Sequence, residues 1–166
     1  MAEFTPTRSL AIALADERRT MREGYAFLDE KCLLLAGEML REVRRYRALV
    51  EELVPLLARA DQALAAALLR HGLHGLQVYP APPGTQPLQL DRRALLGVAM
   101  IDARLDGEPG EAAPAVNASP EAAACGAAFA LLSAKLAELA GISGNLARLH
   151  AEYRKTVRRV RALQDV

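Results

Sequence analysis

The stretch that decides the fold covers residues 25–67 and reads YAFLDEKCLLLAGEMLREVRRYRALVEELVPLLARADQALAAA. Its apolar residues recur mostly at alternating steps of four and three, which is the spacing of a helical seam that packs against another helix. This spacing predicts one long first helix within residues 1–71. The seam, extended toward the N-terminus, consists of Leu14, Met21, Tyr25, Leu28, Cys32, Leu35, Met39, Val43, Tyr46, Val50, Leu53, Leu57, Ala60, Leu64 and Ala67.

The ends of this first helix carry residues that favour capping. Thr5 can cap a helix through its hydroxyl, while Pro6 occupies the first helical position, where its missing N–H costs nothing. At the other end, Gly72 can close the helix in a left-handed conformation directly after His71. We therefore expect the first helix to begin at Thr5-Pro6 and to end near residue 72.

Two features interrupt the regularity of the first helix. Leu35, Met39 and Val43 are separated by two successive steps of four, a stutter that locally unwinds a left-handed supercoil. Pro55 removes one backbone hydrogen bond and crowds the carbonyl four residues back, so we expect a bend there.

A second long helix is predicted over residues 119–166. Ser119 and Pro120 repeat the combination of a capping hydroxyl and a first-turn proline. Gly141 and Gly144 are small enough to permit a close approach of the partner helix. The seam of this helix consists of Cys125, Phe129, Leu132, Leu136, Leu139, Ser143, Leu146, Leu149, Tyr153, Val157 and Val160.

Residues 72–118 connect the two helices and hold most of the prolines. Residues 76–79 (LQVY) and 96–102 (LGVAMID) are the best candidates for strands, with a proline-rich segment between them. This pattern predicts a short β-hairpin or a few irregular strands. Residues 107–118, rich in Gly, Ala and Pro, are predicted to form a loop.

The composition supports a mainly α fold. Ala and Leu together supply 61 of the 166 residues, whereas Val and Ile supply only 12. Because each helix has one narrow apolar seam, the two most simply bury those seams against each other. We predict a long antiparallel two-helix coiled coil with a short β-hairpin or irregular middle section, forming a single elongated domain over residues 1–166. Cys32, Tyr46, Leu136 and Tyr153 should lie in or beside the seam.

Charge and hydropathy argue against several classes of partner. The formal net charge is +1, and aromatic residues are 4% of the chain, so nucleic-acid binding is not expected. The longest uncharged stretch in the second half, residues 122–134, is well short of the ~20 apolar residues of a membrane span. The N-terminus lacks a basic region followed by an apolar core, so we expect no secretory signal and no direct membrane insertion. Two cysteines favour a reducing, cytoplasmic compartment.

Motifs for catalysis or cofactor binding are missing from the sequence. It contains no phosphate loop, no dinucleotide fingerprint and no nucleophile elbow. His71 and His74 would need further ligands to hold a metal, so exposed histidines at a helix end are the favoured interpretation. Cys32 and Cys125 fall on seam positions and are interpreted as small core residues. We predict no catalytic, cofactor-binding or metal site.

A basic cluster near the C-terminus is the feature that best suggests binding. Arg154, Arg158 and Arg161 follow one another by steps of four and three, so they form one stripe on the second helix. One interpretation is the solvated flank of a coiled coil, and the other is a docking surface for an acidic or hydrogen-bonding partner.

Both ends of the chain resemble the D subunit of V-type and A-type rotary ATPases. The C-terminal resemblance lies in residues 152–163 (EYRKTVRRVRAL), which are similar to that family's lysine-threonine, double-arginine, valine and alanine-leucine signature. Members of the family usually continue for several helical turns beyond it. The N-terminal resemblance is carried by residues 6–8 (PTR) and 23–25 (EGY), with Leu10, Leu14, Leu28 and Lys31.

The resemblance implies a non-catalytic central rotor shaft without cofactors. Its coiled-coil end would sit inside the ring of catalytic A and B subunits. It would pair with the small F subunit and rest on the C subunit above the membrane ring. The chain would then be cytoplasmic and peripheral to the membrane. Carried over by position, the residues facing the catalytic ring would be Thr7, Arg8, Arg154, Lys155, Arg158 and Arg159.

Two other interpretations use the same helical pattern. A coiled-coil adaptor unrelated to ATPases would share the fold and differ in the terminal signatures. An amphipathic membrane-surface helix is less compatible, because a heptad seam is narrower than a lipid-facing stripe.

Overall fold

The computed structural model describes residues 7–80, 86–107 and 113–164. The elements in chain order are helix α1 (Arg8–Gln77), strand β1 (Leu88–Leu95), strand β2 (Val98–Leu105) and helix α2 (Pro120–Gln164). The 70 residues of α1 span roughly 105 Å at the rise of an α-helix. Two long helices packed together, with a short hairpin between them, confirm the predicted fold class.

Contacts at both ends of α2 establish that the helices are antiparallel. Near its C-terminal end, the Gln164 side chain donates a hydrogen bond to the Tyr25 hydroxyl over 2.9 Å. At its N-terminal end, the Ser119 hydroxyl lies 2.7 Å from His71 Nε2. The two helices therefore run alongside each other from about residue 25 to residue 71 of α1.

The N-terminus of α1 is capped by Thr7. Its hydroxyl accepts a hydrogen bond from the Leu10 N–H over 3.3 Å, which satisfies one donor that the first turn leaves free. The predicted cap at Thr5 and Pro6 lies outside the described residues.

The N-terminus of α2 follows the sequence prediction. The Ser119 hydroxyl accepts a hydrogen bond from the Ala122 N–H over 3.1 Å, and Pro120 is the first helical residue. This arrangement confirms the predicted cap and first-turn proline.

The predicted end of the first helix near Gly72 is confirmed as a break, because Gly72 leaves helical geometry with φ 68° and ψ 167°. A short helical segment follows this residue, so that α1 as a whole continues to Gln77. The strand predicted at residues 76–79 is therefore a helix end, because Leu73 and Leu76 keep helical spacing. The helix continues through Pro55, and the predicted bend there stays a prediction.

Strands β1 and β2 form an antiparallel hairpin. Their pairing begins with Leu95 opposite Val98 beside the turn and continues to the other ends of the two strands. Its two turn residues, Leu96 (φ 50°) and Gly97 (φ 85°), both have positive φ, as a tight hairpin turn requires. The strand predicted at 96–102 overlaps β2, with its first two residues in the turn. Strand β1 was missed because LQLDRRAL is almost entirely exposed and half of its residues are polar. The described residues of the predicted loop, 107 and 113–118, form neither helix nor strand.

Two buried clusters form the core. The first lies between the helices alone and consists of Leu49, Leu53, Ala60, Leu132 and Ile142. The second includes the hairpin and consists of Leu35, Val98, Met100 and Leu149. The hairpin therefore packs against the side of the two helices and shares their core.

The seam positions are partly different from those predicted. Cys32 and Tyr153 are half-buried beside the seam, as expected, but Tyr46 and Leu136 are 37% and 47% exposed. Leu57 is also exposed, because its neighbour Leu56 packs on the first cluster instead. The seam is thus shifted by one residue in this part of α1, where adjacent residues are equally apolar.

Gly141 permits a close approach, but its neighbour is the hairpin and not the partner helix. A Cβ at Gly141 would lie 3.0 Å from the backbone nitrogen of Ala103 and 3.2 Å from the Ile101 carbonyl oxygen. A Cβ at Gly144 would meet only the guanidinium of Arg148 on the same helix. Gly141 therefore sets the distance between α2 and β2, whereas Gly144 does not.

We expect opposite effects from alanine at these two glycines. Gly141→Ala forces a Cβ against strand backbone and should lower the free energy of unfolding by about 1 kcal/mol, even after the gain in helix propensity. Gly144→Ala should raise it by about 0.5 kcal/mol, because alanine is the better helix former. Urea unfolding followed by circular dichroism measures both. Equal stabilisation by the two substitutions would contradict the close packing at Gly141.

Candidate functional site: the basic stripe and the clamped hairpin

The basic stripe is exposed along one end of α2. Arg154, Lys155, Arg158 and Arg159 are all solvent-exposed, and none of the four pairs with a carboxylate among the described residues. The Arg158 Nε donates a hydrogen bond to the carbonyl of Arg154 over 3.3 Å, one turn earlier. Four cations are thus presented without internal neutralisation, which leaves them available to an acidic partner.

Thr7 and Arg8 do not lie beside this stripe. Tyr25 contacts the last turn of α2, and Arg8 precedes it by about 25 Å of helix. The hydroxyl of Thr7 is already used as the cap of α1. The six predicted contact residues therefore form two separate sets, four on α2 and two at the start of α1.

A groove of about 580 Å³ lies between these two sets. Leu14, Met21 and Tyr25 of α1 line it, together with Leu163 and Gln164 of α2. The charged residues Glu17, Arg18 and Arg22 line it as well, so the groove is part apolar and part charged.

Glu152 links the stripe to α1. Its carboxylate accepts a hydrogen bond from Lys31 over 2.7 Å, between side chains that are 23% and 16% exposed. This hydrogen bond lowers the pKa of Glu152 against the opposing effect of burial, and the nearby charges of Lys155 and Arg159 lower it further. The ionised carboxylate is thus favoured in the folded protein.

The lowered pKa predicts how stability depends on pH. Because Glu152 binds a proton less readily when folded, its contribution is present above the unfolded pKa and is lost as pH falls through the lower folded pKa. Glu152→Gln should cost about 1 kcal/mol at pH 7, and this difference should shrink below about pH 4.3. Chemical unfolding from pH 7 to pH 3.5 measures it, with exposed Glu51→Gln as control. A difference that stays constant over this range would contradict the assignment.

A cluster of charges around two buried carboxylates holds the hairpin against α1. Glu38 and Glu42 are 3% and 0% exposed, although carboxylates are rarely buried without partners. Arg93 of β1 reaches both, with its Nη2 3.2 Å from Glu38 and 3.6 Å from Glu42. One cation from the hairpin therefore contacts both carboxylates of α1.

Further ion pairs complete this cluster. Arg41 lies 2.9 Å from Glu38, and Arg45 lies 2.8 Å from Glu42. Asp102 of β2 contacts Arg45 at 3.3 Å, and it also lies 3.7 Å from Arg93. Three carboxylates and three guanidiniums thus meet where α1 and the hairpin join.

The hairpin is fixed to α2 by a different contact. Asn145 is fully buried; its Oδ1 accepts a hydrogen bond from the Ile101 N–H over 2.8 Å. Its Nδ2 donates to the Ile101 carbonyl over 3.0 Å. One amide side chain therefore satisfies both outward backbone groups of Ile101 and attaches β2 to α2.

Sequence reasoning missed this cluster, although one signal pointed to it. The stutter at Leu35, Met39 and Val43 is where the inward face of α1 turns, and Glu38 and Glu42 become buried there under the hairpin. Two carboxylates four residues apart at a stutter indicate that a third element packs at that point. Their partner Arg93 could not be inferred, because β1 itself was not predicted.

We expect Arg93 to be the most important cation of this cluster. Arg93→Gln leaves two buried carboxylates with one guanidinium each and should lower the free energy of unfolding by about 2 kcal/mol. Exposed Arg92→Gln, its neighbour, should change it by less than about 0.5 kcal/mol. Urea unfolding and hydrogen exchange of the hairpin measure both. Equal effects of the two substitutions would contradict the clamp.

Large apolar side chains are exposed along the whole rod. Phe27 and Leu33, near the basic stripe, are 66% and 70% exposed, and Leu69 and Leu73, at the opposite end, are 90% and 62% exposed. By length and composition alone α2 could cross a membrane, a criterion that core helices of soluble proteins also meet.

The histidines and cysteines are placed as follows. The His71 ring packs edge-on against Tyr79, with centroids 5.5 Å apart, while His74 is exposed. Cys32 and Cys125 are free and half-buried, and burial raises the pKa of the Cys32 thiol. Within the described ranges, no three His, Cys, Asp or Glu side chains are grouped to hold a metal ion.

A two-helix rod with a β-hairpin attached to its side defines a class of long helical-hairpin proteins. Residues 11–166 match the family of ATP synthase D subunits, and the chain belongs to that family. It is 26% identical over 165 residues to the D subunit of the V-type ATP synthase of Thermotoga neapolitana, covering 97% of this chain and 80% of that protein. The resemblance noted in the sequence is confirmed: the chain is a subunit of a V/A-type ATPase, a membrane-associated complex.

Proposed function

We propose that this chain is the central rotor shaft of a V/A-type rotary ATPase. It couples ATP hydrolysis or synthesis in the catalytic ring to ion translocation through the membrane ring. The observation that carries the proposal is the pairing of a 70-residue helix with an antiparallel 45-residue helix, which supplies length and stiffness in one elongated domain. A shaft needs both, because torque must pass between two distant sites.

The two ends of the rod suit different partners. The exposed stripe of Arg154, Lys155, Arg158 and Arg159 can form charge-assisted hydrogen bonds with the catalytic A and B subunits. Thr7 and Arg8 form a second, separate set of contacts farther along α1. The opposite end rests on the C subunit above the membrane ring. The small F subunit is the third partner, bound to the side of the shaft.

The chain itself stays outside the membrane in this proposal. Lys135 lies inside the most apolar part of α2 and pairs with Glu52 of α1 over 3.0 Å. That ion pair would have to be broken for α2 to enter lipid, which is costly for a charged side chain. The shaft is therefore cytoplasmic and reaches the membrane through its partners.

The isolated chain should neither bind nor hydrolyse ATP. Its sequence has no phosphate loop, and a shaft has no need of one. Added to a ring of A and B subunits, it should change the ATP turnover of that ring. Hydrolysis by the pure chain that survives removal of contaminants, measured by phosphate release, would overturn the non-catalytic role.

The basic stripe distinguishes a rotor shaft from an unrelated coiled-coil adaptor. Replacing Arg154, Arg158 and Arg159 by Ala should leave the helix intact, since exposed charges contribute little to stability. Assembly with the A and B subunits should weaken about tenfold or more, because several charge-assisted hydrogen bonds are lost together.

The readout is co-elution with A and B subunits, with circular dichroism to verify folding. Higher salt should weaken assembly of the wild type more than that of the triple variant. The matched control, Arg59→Ala with Arg70→Ala, removes exposed charges from the other end of the rod and should assemble like wild type. A folded triple variant that assembles normally would show that the stripe is only a solvated face.

A further inference from the structure

The two edges of the hairpin differ in how they are covered. On the outer edge of β2, Asn145 takes both the N–H and the carbonyl of Ile101. Arg92 of β1 lies directly opposite Ile101 in the pairing register. In an antiparallel pair, opposite residues either bond each other or both face outward, so Arg92 turns its backbone groups away from β2.

The same alternation gives β1 a free edge. Leu88, Leu90, Arg92 and Ala94 all turn their N–H and carbonyl groups outward. No strand pairs with that edge among the residues 7–80, 86–107 and 113–164. An exposed row of such groups is a template for a further strand.

The two faces of β1 are also unlike. On the inner face, which carries Gln89, Asp91 and Arg93, each polar side chain has a partner. Gln89 binds Asp106, Asp91 pairs with Arg104 at 2.6 Å, and Arg93 pairs with Glu38. The outer face is apolar apart from one charge. Leu88 and Leu90 on this face are 54% and 45% exposed, and Ala94 is exposed as well.

Arg92 is the single charge on the outer face of β1. It is exposed and forms no ion pair with any described residue, unlike Arg93 beside it. A strand added to this edge would place a side chain next to Arg92, and an acidic residue there would be the favourable cross-strand neighbour. The clamp formed by Arg93 and Asn145 presents the edge already ordered, which reduces the entropy lost on binding.

We propose that the free edge of β1 receives an extended strand from another protein subunit of the ATPase. The main-chain hydrogen bonds go to Leu90 and Arg92, and an acidic side chain of the added strand lies beside Arg92. This mode of recognition derives its affinity from backbone bonds and its specificity from alternate side chains. The proposal rests on the proposed function, which supplies the partner subunits.

Three variants of the full chain test the edge, each assembled with the other soluble subunits of the complex. Leu90→Pro removes one outward N–H and leaves the hydrogen bonds inside the hairpin, a substitution that edge strands tolerate. Leu90→Ala is its matched control, because it shortens the side chain and keeps the N–H. Arg92→Glu reverses the charge without touching the backbone, and circular dichroism with hydrogen exchange of β2 verifies that each hairpin is folded.

Leu90→Pro should weaken binding of one subunit about tenfold, and Leu90→Ala about threefold or less. Arg92→Glu should weaken it also, with a smaller dependence on salt. A photo-crosslinking residue at position 90 should react with an edge strand of that subunit, near an acidic residue. Wild-type affinity in both Leu90→Pro and Arg92→Glu, or a crosslink only to a second copy of this chain, overturns the proposal.

Failure of the edge proposal differs from failure of the proposed function. If the wild-type chain does not assemble with A and B subunits at all, the rotor role is lost and the edge proposal is lost with it. If assembly is normal and the β1 variants bind every subunit like wild type, only the edge proposal is lost.

Discussion

The burial of Glu38 and Glu42 is the constraint on which the middle of this molecule depends. Two carboxylates removed from water must be neutralised, and the cations of α1 itself, Arg41 and Arg45, provide one partner each. Arg93 of the hairpin completes the cluster by contacting both carboxylates. The helices can therefore bury these residues only with the hairpin in place, so its position is a condition of the fold.

This arrangement divides the rod into regions with different tasks. Between the helices, Leu49, Leu53 and Ile142 form an apolar core that holds the two helices together. Beside this core, ion pairs hold the hairpin to α1, and hydrogen bonds from Asn145 hold it to α2. The basic stripe of α2 lies toward one end of the rod, while apolar residues such as Leu33 and Leu69 are exposed along both halves of α1.

The two long helices and a short hairpin between them could be predicted from the sequence, because periodicity, capping and turn residues are local signals. Ser119 and Pro120 fixed the start of α2 correctly. The seam was displaced by one residue around Leu56 and Leu57, because adjacent leucines satisfy the same period and only the partner helix decides between them. Strand β1 was missed because its polar side chains are stabilised by distant residues such as Glu38. The basic stripe of α2 was predicted as a group, because helical spacing is a local signal. Its separation from Thr7 and Arg8 depends on how the two helices pair, which only the structure shows.

Rotation of the shaft inside the catalytic ring tests the central claim most directly. Leu69 is 90% exposed at the end of the rod opposite the basic stripe, so Leu69→Cys, in a chain whose Cys32 and Cys125 are replaced by Ala, can carry a probe on a single thiol. With the A and B ring fixed to a surface, ATP should drive stepwise rotation of the probe in one direction. A probe that stays still while the ring hydrolyses ATP, with the chain demonstrably bound, would contradict the account of this protein as a rotor shaft.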